Sequence, residues 1–260
     1  MKFRFVVVVL AATLLSACTG CGDSTESANK NAALATPSTV TPPEPVKPAA
    51  PPDPNYKACN DYFPVVPGSV AKYVMTYSTG LVADATVVVD KVDEGGKQIF
   101  LETAQIVDRS GGLNINQTTK RRFMCDGPRV QILSENTNSV VEGKLTVTTM
   151  RYRDNSLIAP EPEALHRKGF TWTYALYPVF AREGLPPATP ETPTIVTMEV
   201  QGEADVTVPA GTFKAIKLQR KVNQNKSWDY LVPGMGMVKR EAGEGLRWEL
   251  KEYSGLKAQS

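Results

Sequence analysis

Histidine is almost absent, a single His166 in 260 residues. That excludes zinc centres built on paired histidines and leaves one imidazole for any base-assisted nucleophile. His166 follows Pro160-Glu161-Pro162-Glu163-Ala164-Leu165, with no orienting partner in sight, so a surface loop is the expected setting. Phosphate-binding loops, G-x-S-x-G elbows and H-E-x-x-H pairs are missing as well. Gly234-Met235-Gly236 lacks a third glycine at the right spacing and reads as a turn. Scattered Asp and Glu form no recognisable acid–base pair. No catalytic residue, metal or cofactor is therefore expected, and the chain reads as non-enzymatic.

An excess of one charge is lacking too. Lys and Arg total 29 against 27 Asp and Glu, and Lys2 and Arg4 account for the difference. A neutral remainder gives no broad electrostatic case for nucleic acid. In the basic cluster Lys120-Arg121-Arg122, strand alternation puts Lys120 and Arg122 on one side. A solvated edge that resists strand pairing is the expected role, with lipid phosphates or an acidic glycan as the alternative.

The apolar run from Phe5 to Leu15 is short. Eleven helical residues rise about 16 Å, against roughly 30 Å of bilayer core. Behind the basic start Met1-Lys2-Phe3-Arg4 this has the layout of a secretion signal. Leu15-Ser16-Ala17-Cys18 resembles the lipobox of bacterial lipoprotein precursors. The resemblance implies cleavage after residue 17, a diacylglyceryl group on the Cys18 sulfur and an acylated amino terminus, hence a membrane partner. Two or three acyl chains hold a domain at a membrane stably, where one binds only marginally. Thr19 in place of Asp resembles outer-membrane sorting in diderm bacteria, which implies a periplasm-facing location. An ordinary cleaved signal with a free thiol, or acylation at Cys21, are the alternatives. A thioether at Cys18 also removes the apparent C-x-x-C with Cys21 from redox or zinc chemistry.

Cysteine is scarce, four in all. In an oxidising compartment Cys59 and Cys125 are the expected disulfide, with two buried thiols as the alternative. Cys21 is left as an unpaired thiol. Residues 18–58 hold few large apolar side chains, and eight of the twenty prolines fall between Pro37 and Pro54. Such a stretch cannot offset the entropy of ordering and is expected as a disordered, stiff tether, about 55 Å over its proline-rich eighteen residues. The globular domain is expected at 59–256, with a short tail at 257–260.

That domain reads as all-β, one antiparallel and strongly curved sheet, a partial barrel or sandwich of about ten strands. The strongest signal is the alternation of Val196, Met198, Val200, Gly202, Ala204, Val206 and Val208 with polar residues. Pro209-Ala210-Gly211 predicts a hairpin turn into Phe213–Val222. Further strands are expected at 70–77, 82–92, 98–107, 115–125, 129–133, 140–152, 170–174 and 228–232, and through Leu246, Trp248 and Leu250. Long connections are expected at 155–168 and 178–193, flanking the aromatic strand of Phe170, Trp172 and Tyr174. Loops over a curved sheet suit a cavity for a hydrophobic ligand, with those three aromatics as candidate ligand-binding residues and core packing as the alternative.

Tyr62-Phe63-Pro64, Pro67-Gly68-Ser69, Lys72-Tyr73, the VPAGTF stretch at 208–213 and Trp228 with Pro233-Gly234-Met235-Gly236-Met237 occur together. Together they resemble a broad group of bacterial envelope lipoproteins and secreted β-domains, the TapB-like proteins among them. The resemblance implies fold and location and brings no catalytic residues. The expected function is a membrane-anchored envelope lipoprotein that binds an apolar ligand, such as a lipid, or docks another envelope protein. A hydrolase of envelope polymers and a purely structural role are the alternatives.

Overall fold

The computed structural model describes residues 46–94, 97–110, 115–141, 144–182 and 192–259. Cys18, Cys21 and the tether up to residue 45 lie outside them. Strands follow one another as β1 (Val70–Thr76), β2 (Val82–Glu94), β3 (Lys97–Asp108), β4 (Ile115–Asp126), β5 (Arg129–Val141) and β6 (Lys144–Ala159). A short helix α1 (Pro162–Leu165) precedes β7 (Thr171–Arg182), β8 (Thr194–Val208), β9 (Gly211–Val222), β10 (Asn225–Val232), β11 (Gly236–Glu241) and β12 (Arg247–Ser254).

Each strand pairs antiparallel with the next, and β12 pairs back onto β1 to close the barrel. The expected curved antiparallel sheet is present, carried through to closure and to twelve strands. Closure leaves no sheet edge, so the edge role expected for Lys120 and Arg122 does not hold. Lys120 is exposed on the outer wall, where Arg122 forms an ion pair with Glu94. The strand that pattern reading misses is β11, whose six residues lack clean alternation. β5 runs on to Val141 instead of ending at Leu133, and β6 reaches Ala159, so the expected loop from Asn155 shrinks to a link around α1.

Bulges supply the bending that closure requires. The ladder shifts register between Lys72 and Tyr73, between Arg122 and Phe123, between Val200 and Gly202, and between Tyr230 and Leu231. The long alternating β8 is therefore broken at Gln201 and continues past the bulge. At its end Gly211 takes the expected positive φ, 139°, and the Ala210 N–H donates to the Leu250 carbonyl of β12.

The end of the barrel where β1 begins is filled by the chain that precedes it. Tyr62 joins Leu165, Trp172, Val200 and Leu231 in one apolar cluster, while Val65 joins Phe100, Phe123, Val130 and Ile132 in another. Buried Asn60 stitches this plug in place. Its Oδ1 accepts from the Tyr62 and Phe63 N–H groups, and its Nδ2 donates to the Pro128 and Pro160 carbonyls at 2.8 Å each. A disulfide joins Cys59 to Cys125 of β4, Cα atoms 6.2 Å apart. His166 caps α1 and sits 3.1 Å from the Tyr62 hydroxyl, its ring edge-on to the phenol.

Of the expected tether, residues 46–52 lie against the outer wall, and Tyr56 packs edge-on to Phe100 in the plug. The Val46 N–H donates to Gln105 Oε1 and the Ala49 N–H to Asp90 Oδ1. Thr103 and Gln105, which the register turns outward on β3, are buried. Where this segment crosses Gly68 (φ 81°), a Cβ would meet the Pro51 and Pro52 backbone at 2.5 Å, so only glycine fits.

Candidate functional site: the barrel lumen

Register fixes which side chains share the inner face. Phe100, Glu102, Ala104 and Ile106 of β3 stand opposite Phe123, Arg121, Thr119 and Gln117 of β4. Glu135, Thr137 and Ser139 of β5 continue the same rungs, followed by Met150, Thr148 and Thr146 of β6. Inward polarity on four successive strands is tolerable because the groups satisfy one another. Gln117 Nε2 donates to Thr119 Oγ1, the Thr119 and Thr137 hydroxyls share a hydrogen bond at 2.9 Å, and Ser139 Oγ donates to Gln117 Oε1.

Below this ladder lies an ion triad. Arg121 donates through Nε to Glu135 and through Nη1 to Glu102, 2.7 Å in each case. Burial works against the guanidinium charge, but the two carboxylates outweigh it and hold Arg121 well above its ordinary value. The Tyr152 hydroxyl of β6 donates to Glu135 at 3.4 Å. Burial, then the neighbouring Glu135, pushes that phenol well above 10.0.

On the opposite side, Arg240 of β11 grips Asp229 of β10 with two hydrogen bonds of 2.6 and 2.8 Å. Bidentate pairing of this kind is the strong form of an ion pair. Although β4 and β11 lie on opposing walls, the Arg121 charge is felt at Arg240. Burial, then Glu102 and Asp229, raise the Tyr73 hydroxyl of β1, while Arg240 works against them. These groups therefore face one shared space. Side chains do not fill that space completely, because those of Arg121 and Arg240, both inward-facing, keep 33% and 30% of their exposure.

The third part of the wall is apolar and aromatic. Trp172, Met198, Arg220 and Ser227 form one rung across β7 to β10, and Tyr174, Val196, Val222 and Asn225 the next. Tyr174 lies 6.4 Å from Tyr152, ring to ring, and Trp172 lies 5.9 Å from Phe170. Arg167 sits over the Phe170 ring at 4.7 Å. The expected aromatics of β7 share one inward face. Trp172 is buried on the rung of Met198 and Arg220, and Phe170 and Tyr174 are half-buried against the same apolar cluster, Tyr174 beside Tyr152. Cys59 and Cys125 lie at the plugged end, and Cys18 lies outside the described residues.

Sequence reasoning missed the residues that define the space: Glu102, Arg121, Glu135, Arg220, Asp229 and Arg240. Gln117, Thr119 and Arg121 alternate with residues that are also polar, so the pattern gives no contrast that would mark the inner face. Among the described residues, no group of three or more His, Cys, Asp or Glu side chains is arranged to hold a metal. None of the helices among those residues is long and apolar enough to cross a membrane.

No protein-family model matches the chain, and no curated protein does. Two solved structures show a low level of likeness. One, from Bacteroides fragilis, is assigned as an exported protein with a YmcC-like fold. It is 12% identical, with a TM-score of 0.46, over 75% of this chain and 100% of that one. The other, from Parabacteroides distasonis, is assigned as a lipoprotein. It is 12% identical, with a TM-score of 0.41, over 76% of this chain and 100% of that one. At TM-scores below 0.5 neither carries a function across.

Proposed function

We propose that this chain is a tethered lipoprotein of the bacterial envelope whose barrel holds an apolar ligand in its lumen and performs no chemistry. The inner face supports this reading: inside a closed barrel the Arg121 and Arg240 side chains keep about one-third of their exposure, and the half-buried rings of Tyr152 and Tyr174 stand on the same face. A barrel of this kind offers enclosure and apolar contact together. The lumen carboxylates support a binding role over a catalytic one. Glu102 and Glu135 both accept from Arg121, and Asp229 accepts from Arg240, so each already has a partner within the barrel.

The anchor in this proposal is the acylated Cys18, and Thr19 after it favours the outer membrane facing the periplasm. Docking to another envelope component is the second reading, favoured by the exposed Ile195 and Leu145 on the outer wall.

Native mass spectrometry of the chain carrying Cys18→Ala, purified without detergent, tests the central claim. A co-purifying lipid mass, lost on mild activation, is expected. Ligand-free protein that crosslinks specifically to an envelope protein would replace the carrier reading with docking. Turnover of an envelope polymer, abolished by Glu135→Gln, would replace it with an enzyme. In the same experiment Cys18→Ala abolishes acyl labelling; labelling that depends on Cys21 instead would move the anchor.

A further inference from the structure

Among the charged side chains that the register turns into the middle of the lumen, Arg220 stands apart. Arg121 has two carboxylates and Arg240 has one, bidentate, but among the described residues Arg220 has none. It is half-buried, on the rung of Trp172, Met198 and Ser227. Tyr152 lies within electrostatic reach of it. A guanidinium inside a barrel that is not neutralised by its own chain pays for desolvation without a partner. Proteins place such a charge where a ligand brings the opposite one.

A second group on the same rung is also unfilled. Trp172 is 8% exposed, and its buried indole Nε1 donates to nothing in the structure. Two strand spacings, about 10 Å, separate the Cα atoms of Trp172 and Arg220. Between them stands Met198, whose unbranched thioether adapts to irregular apolar partners. One rung therefore offers a cation, a neutral N–H donor and apolar filler, all pointing the same way. Glu135 and Asp229, the carboxylates facing this part of the lumen, are occupied by Arg121 and Arg240 and do not compete for Arg220.

We propose that the lumen takes a long-chain amphiphile with a single anionic head, the head pairing with Arg220 and donated to by Trp172 Nε1, the chain lying against the half-buried rings of Tyr152 and Tyr174. This rests on the lumen-binding reading above and adds the charge of the ligand to it. Carboxylate and phosphate heads share the required chemistry, namely acceptor oxygens in a plane that a guanidinium can fork.

The test uses the Cys18→Ala chain and three probes of one chain length: palmitate, hexadecyl phosphate and hexadecanol. Affinity is followed by quenching of tryptophan fluorescence and confirmed by native mass spectrometry. At least one anion should bind ten-fold or more tighter than the alcohol, and the tighter of the two assigns the head. Arg220→Gln should erase the preference while leaving hexadecanol binding within two-fold, and Arg220→Lys should restore part of it. Equal affinity for the alcohol and both anions, or a preference untouched by Arg220→Gln in a folded variant, would overturn the anionic head and leave lumen binding intact. Binding of none of the three would overturn both.

Discussion

Along β3 to β6 the lumen is lined by groups already bonded to one another, whereas along β7 to β9 it is lined by rings, aliphatic chains and one unanswered arginine. The first wall is finished as it stands: triad, hydroxyl ladder and disulfide each close on partners from neighbouring strands or the plug. On the proposed reading the second is completed by a ligand. The difference would then separate the groups that fix register from those left for a guest.

Four measurements sharpen or break this contrast. The largest effect belongs to the finished wall. Cys125→Ala opens the covalent loop to Cys59, 66 residues apart in sequence, which should lower unfolding free energy by about 4 kcal/mol on the chain-entropy account. Urea unfolding midpoints with and without reductant measure it. Next, Arg121→Met leaves Glu102 and Glu135 facing each other without a cation and should cost about 3 kcal/mol. If Arg220→Met costs as much, the two walls are not different in kind. The expected cost there is about 0.5 kcal/mol or less, because no bond is broken.

Between these lies an alkaline test. The folded Tyr73 hydroxyl is held above its ordinary value of 10.0 by burial, and it donates to the Met237 carbonyl at 2.8 Å. A raised folded value gives stability fully present below pH 10 and lost as the pH rises above it, at about 1.4 kcal/mol per pH unit for one group. Phenolate absorbance should accordingly appear together with unfolding; a normal titration in folded protein would mean a lumen as wet as bulk water. Finally, Thr119→Val keeps the shape of the hydroxyl ladder and removes its central link, for a loss of about 1 kcal/mol in thermal or urea unfolding.

Much of the wall was legible. β8 and its Pro209-Ala210-Gly211 turn stand where alternation puts them, and the Cys59–Cys125 bridge joins the residues expected to share it. The interior chemistry was not legible, for a physical reason. Pattern reading assigns polar residues to water, yet a closed barrel of twelve strands has an inside that side chains do not all need to fill. On β4 the polar residues point inward as well as outward, so Gln117, Thr119 and Arg121 carry no hydropathy contrast to reveal them. In Lys120-Arg121-Arg122 attention falls on the two residues that share a face, while the middle one holds the triad. β11 escaped for a different reason, its six residues being split by the bulge opposite Tyr230 and Leu231.

The position of the bridge also decides how the molecule bears a load. A pull on the chain at Val46 would load the hydrogen bonds of Val46 to Gln105 and of Ala49 to Asp90. Tension then reaches Cys59 and passes through sulfur directly into β4. Everything from Asn60 to Met124 hangs inside that covalent loop, including β1 and its seam with β12. Tension entering at Cys59 therefore has a covalent route that bypasses β1, the first strand of the barrel.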